Sequence, residues 1–120
     1  ILESVKKNIL KTLEKSTHFS PSASLFQLTD LAGRIVSVGN QTGEGWTLAG
    51  EMAEMAEQGV KKFIVVQPFG CLPNHVIGKG IIKKFRQVYP GTNIVAIDYD
   101  SRVSAVNQLN RIRLLLETSE

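Results

Sequence analysis

Leu2, Val5, Ile9 and Leu13 recur at three- and four-residue steps, so residues 1–15 predict one amphipathic helix. The polar stretch 16–22, with Pro21 inside it, breaks that pattern. Leu25, Leu28, Leu31 and Ile35 predict a second helix, although residues 34–38 also read as a short strand after a Gly33 cap. A loop with three glycines, 39–45, then opens a third helix carried by Trp46, Ala49, Met52, Ala53 and Ala56. Gly59 stands where a left-handed residue would close it.

The period changes at Phe63. The run Phe63-Ile64-Val65-Val66-Gln67 is unbroken and β-branched, which predicts a strand buried on both faces of a parallel sheet. A helix is expected from about Asn74 to Tyr89, burying Val76, Ile77, Ile81, Phe85 and Val88, with Pro90-Gly91 as its stop. Residues 93–98 predict a second strand. Asp100 or Ser101 would cap a last helix with Val103, Val106, Leu109, Ile112 and Leu116 on its inner side.

The expected fold class is therefore α/β: N-terminal helices, then a β-α-β-α unit with a small parallel sheet, half of a Rossmann-like arrangement. Its crossover should be right-handed. Two strands make a small sheet, so either the N-terminal helices cover it or further polypeptide extends it.

Length and composition narrow the classes. At 120 residues the chain suits one domain, and 42% hydrophobic with 21% charged residues is ordinary for a globular one. It starts at Ile1, which suggests a piece of a longer protein, with 1–38 a helical lead-in and 39–120 the α/β core. No run approaches the roughly 18 apolar residues of a membrane span, so no membrane partner is expected. Net charge is +3. Lys79, Lys83, Lys84 and Arg86 lie close together, and Lys61, Lys62, Arg111 and Arg113 add to them; a solvated helix face is the plain reading. With so mild a charge and no interleaved aromatics, nucleic acid is not an expected partner. A single cysteine excludes an intrachain disulfide and fits a reducing, cytoplasmic setting.

Candidate chemistry gathers in residues 67–75, Gln-Pro-Phe-Gly-Cys-Leu-Pro-Asn-His, at the C-terminal end of the first strand. Open α/β sheets place their sites there. Cys71 reads in three ways: a packed structural thiol, a nucleophile with His75 as base, or a metal ligand. Gly70 leaves the backbone open, and Pro73 can start a helix whose positive end would lie beside the sulfur. No obvious carboxylate orients His75 for a triad, and one cysteine with one histidine is too few for a complete metal site. His75 also reads as a helix-start residue bonded to a loop carbonyl. Glu44 could sit at a helix N-terminus because anions are favoured there. Asp98 and Asp100 follow the second strand, where ending it and capping the next helix is the plainer role. Pro68, Phe69, Gly70, Asn74, His75, Glu44 and Asp98 are the candidate lining of the site.

Several of these segments together carry a resemblance. They are residues 39–46 (Gly-Asn-Gln-Thr-Gly-Glu-Gly-Trp), 67–75 with Gly78-Lys79-Gly80, Ile97-Asp98-Tyr99-Asp100, and Asn107-Gln108-Leu109-Asn110-Arg111. They resemble the large fused proteins of anaerobic bacteria described as CoA-substrate-specific enzyme activases, related to 2-hydroxyacyl-CoA dehydratases. The likeness spans roughly 39–116, toward the C-terminal end of the dehydratase-like part. It implies ATP-driven electron transfer from an activator ATPase to a component holding a 4Fe–4S cluster or a double cubane, with an acyl-CoA as substrate. It also implies that Cys71 is a cluster ligand in the parent protein. The activator's ATP-binding motifs and the family's other cysteines are absent from these residues, so the chain alone should neither hydrolyse ATP nor hold a cluster. The contrasting reading is a non-catalytic interaction module whose basic helix docks an acidic partner, with Cys71 packed inside.

Overall fold

β1 (Lys62–Pro68) and β2 (Asn93–Tyr99) pair in parallel, in the register Phe63↔Ile94, Val65↔Ala96 and Gln67↔Asp98. The computed structural model describes residues 1–19, 21–100 and 104–118. Among them the helices are α1 (Leu2–Leu13), α2 (Leu25–Gly33), α3 (Trp46–Glu57), α4 (Ile82–Val88) and α5 (Ala105–Glu117), with a π-helical segment, Asn74–Lys79, between β1 and α4. The α/β class and the parallel β-α-β-α order are as the sequence predicts.

Local chemistry sets the ends. Ser24 caps α2 and forms a reciprocal capping box with Gln27. α2 stops at Gly33 and no strand follows it; residues 34–36 turn, carrying Ile35 into the core. Gly59, at φ +93°, closes α3: its N–H donates to Ala56 O, and the Val60 N–H donates to Met55 O. This paired closure is the Schellman pattern. Gly45 starts α3 at φ +50°, where a Cβ would stand 2.1 Å from the Asn40 carbonyl oxygen.

One apolar core joins α2, α3, the π-helical segment, α4 and one face of the sheet. Phe85, with no exposed surface, sits edge-on to Phe63, and Met52, Ile77, Ile81, Ile94 and Ala96 close around them. α3 packs on α2 with its Gly50 against the Leu28 carbonyl.

Four expectations need correction. β1 is not buried on both faces: Phe63, Val65 and Gln67 point inward, while Ile64 and Val66 remain 42% and 55% exposed. The α3 and α4 side covers one face, while α5 packs mainly on β2 and touches β1 chiefly at Lys62, so it covers only part of the other. The helix expected over 74–89 is not continuous. Gly78 presses on Val65, and the Gly80 N–H reaches back five residues to His75 O, so the chain widens into a π turn before α4 begins.

α5 turns a different side inward from the one expected. Leu115 is buried and Gln108 and Ile112 are half-buried, whereas Val106, Leu109 and Leu116 face out. Its N-cap is Ser104, so Asp100 does not cap it; Ser101 and Val103 lie outside the described residues. α1 buries none of its residues; of the N-terminal helices it is α3, with α2 behind it, that covers the inner face of the sheet, one of the two outcomes expected.

The α2–α3 contact gives a paired test. A Cβ at Gly50 would come within 2.7 Å of Leu28 O, so Gly50→Ala should lower unfolding free energy by about 1–3 kcal/mol. At Gly33 nothing lies within 4 Å, so Gly33→Ala should be neutral or raise stability by about 0.4–1 kcal/mol. Urea denaturation of both variants checks the pair.

Candidate functional site

The inward positions of each strand end in a polar residue, and the two meet. Gln67 closes the series Phe63, Val65, Gln67, and Asp98 closes Ile94, Ala96, Asp98; the register sets them side by side. The Gln67 Nε2 amide donates to Asp98 Oδ1. Gln67 is only 1% exposed, and its Oε1 has no hydrogen-bond partner among the described residues. Leaving such a group dry generally costs about 1–3 kcal/mol.

The π-helical segment supplies the other half of the cluster. Lys79 Nζ donates to both oxygens of Asp98, at 2.9 and 2.7 Å, as a part-buried ion pair. The widened turn also presents His75, four residues before Lys79. His75 Nδ1 stands 3.1 Å from the Cys71 carbonyl oxygen, so that nitrogen carries the hydrogen and donates. Its Nε2 is then free to accept from Lys79 Nζ at 3.4 Å.

Cys71 is half-buried at the ends of both strands. Its N–H donates to Pro68 O at 3.2 Å, and its carbonyl accepts from the His75 N–H at 3.0 Å as well as from the ring. The preceding turn is tied to β2 by the Phe69 N–H, which donates to Tyr99 O, and Gly70 adopts φ +75°. From the other side comes the glycine loop, where a Cβ at Gly43 would stand 2.8 Å from Pro73 Cγ. A small cavity of about 60 Å³ between the two loops is lined by Asn40, Thr42, Leu72 and Val76. Phe69 and Leu72 project outward, 70% and 62% exposed.

Of the residues singled out in the sequence, His75 links two others: its ring bonds the Cys71 backbone carbonyl and, through Lys79, reaches Asp98. Pro68, Phe69 and Gly70 form the exposed rim, Asn74 is half-buried at the start of the π turn, and Glu44 is exposed on the neighbouring glycine loop. Asp98 lies within β2 and does not merely end it, as its ion pair shows. His75 has the loop-carbonyl bond expected of it. Lys79 does not belong to a solvated face, although Lys83, Lys84 and Arg86 remain exposed.

Gln67 and Lys79, named in the sequence only as part of the 67–75 segment, the basic cluster and a motif, are the members to which no site role was given. Their signals were a polar residue at the third inward strand position, and a lysine one helical turn beyond His75. Among the described residues no group of three or more His, Cys, Asp or Glu side chains could hold a metal ion. None of the described helices is long and apolar enough to cross a membrane.

No family model, curated protein or solved structure matches this chain.

Hydrogen bonds from Gln67 and Lys79, with the positive charge of Lys79 beside it, hold the Asp98 carboxyl below the usual carboxylate range. A depressed acid stabilises the fold above its unfolded value, near pH ~4, and that contribution disappears as pH falls through the folded value. Asp98→Asn should therefore cost on the order of 1 kcal/mol at neutral pH, since the pair is partly exposed. The gap between variant and wild type should narrow as pH falls below the ordinary carboxylate range and through the lowered folded value. Urea titrations across this range would show a pH-independent gap if the ion pair contributes nothing.

Proposed function

We propose that this chain is an α/β element of an iron–sulfur protein of the dehydratase and activase type its motifs resemble. In that role Cys71 gives one thiolate to a cluster whose remaining ligands lie outside these residues. The observation that carries the reading is the placement of the only cysteine. It is half-buried at the C-terminal tips of two parallel strands, in a loop held by His75, by Pro68 and by the glycine loop. A ligand loop needs that restraint, because a sulfur that wanders cannot keep a cluster's geometry. Clusters are held by several cysteines. With one thiol, and no group of metal-binding side chains among the described residues, this chain fits a single ligand position and not a whole cluster.

On this reading the chain's own residues hold and shield. His75 fixes the carbonyl of Cys71, Asp98 and Lys79 fix the π turn that carries His75, and Phe69 and Leu72 would exclude water from the sulfur once a neighbouring surface covers them. The electron donor would be an activator ATPase and the substrate an acyl-CoA, both bound by other parts of the protein. A second reading, a docking module without chemistry, is favoured by the same exposed Phe69 and Leu72 together with Lys83 and Lys84 on α4.

Anaerobic reconstitution of the natural gene product separates the two. Cys71→Ala should lower iron and sulfide content and alter the cluster's electron paramagnetic resonance signal. Identical iron content and spectra in variant and wild type would leave only the docking module.

A further inference from the structure

Among the described residues no strand pairs with the outer edge of β1, and that edge has the features of a strand interface. In a parallel pair, alternate residues of one strand make all its bonds to the neighbour. The Phe69 N–H donates to Tyr99 O, and the Asn93 N–H donates to Lys61 O. These bonds fix the phase: positions 61, 63, 65, 67 and 69 face β2, so the N–H and C=O groups of Lys62, Ile64 and Val66 point to the free edge. Pro68 falls in the same outward phase, where its missing N–H removes no bond to β2.

Along this edge runs a groove of about 280 Å³, with Leu48, Met52 and Met55 of α3 on one side and Ile64 and Val66 on the other. It spans the four residues 63–66, about 13 Å of strand. The side chains of Ile64 and Val66 are the exposed apolar ones of β1, as they would be beside a missing neighbour.

The placement of α5 says which kind of strand belongs there. α3, the π-helical segment and α4 cover the face of Phe63, Val65, Ile94 and Ala96. α5 lies on the opposite face: Leu115 and Arg111 flank Asn93 and Val95, and Lys62 Nζ donates to Leu116 O at 2.7 Å. Crossovers between parallel strands are right-handed. A helix that leaves β2 on the face opposite to α4 therefore carries the next parallel strand back past β1, not outward beyond β2. That strand's ladder would continue the β1–β2 ladder.

We propose that a further parallel β-strand, contributed by the gene product outside residues 1–120, pairs with the free edge of β1 and makes β1 an interior strand. The strand order then reverses at β1, and the crevice beyond its C-terminal end, where open α/β sheets bind their ligands, opens at the Cys71 loop. The strand pairing itself does not depend on iron.

Amide hydrogen exchange tests this on two samples, the 120-residue chain and the whole natural gene product. In the chain, the Ile64 and Val66 amides should exchange fast while those of Val65 and Gln67 are protected. In the gene product, Ile64 and Val66 should slow by about tenfold or more. Equal exchange in the two samples overturns the proposal. So does protection that is already present in the chain and tracks a concentration-dependent dimer, which would make a second copy the occupant. Because the readout is amide protection, loss of the Cys71 cluster reading would leave this result unchanged, and the reverse also holds.

Discussion

The polar tie across the two strand ends is the constraint on which the site depends. Gln67 and Asp98 lie side by side because the strands are parallel and in register, and Lys79 clamps Asp98 from the π turn. That clamp sets how the turn faces the sheet and so directs His75 toward the Cys71 carbonyl. The loop carrying the sulfur is thus held by groups outside it. Burying Gln67 with one oxygen unpaired among the described residues works against stability, and the charge-assisted bonds around Asp98 offset it.

The glycines of this region follow from crowding. Gly78 lets the π turn lie on Val65 and leaves room beside the Gln67 amide, whose oxygen would be 3.7 Å from a Cβ there. Gly43 lets the glycine loop lie on Pro73. Two segments about thirty positions apart are thereby packed into one wall.

Much of the fold was legible because the signals were local. The Gly59 closure, the strand pair and the helical stripe of α3 are written in adjacent residues. What was missed is tertiary. The apolar run of β1 is the same whether one face or two are covered, and only the position of α5 decides that Ile64 and Val66 stay open. α5 has more apolar positions than one face can bury, so its period could not say which side packs. In the site, Cys71 and His75 stood out by type and spacing. Gln67 and Lys79 could be placed only once strand register and the π turn were known, since a regular helix would carry Lys79 elsewhere on its circumference.

α1 shares no buried residue with the rest of the molecule. The cooperative heat uptake on melting should thus come from the body that begins at α2, and the first helix should fray separately, its smaller heat spread over a broad range of temperature. Calorimetric enthalpy per residue, if divided over the whole chain, would make this domain look more weakly packed than its Phe63–Phe85 centre is.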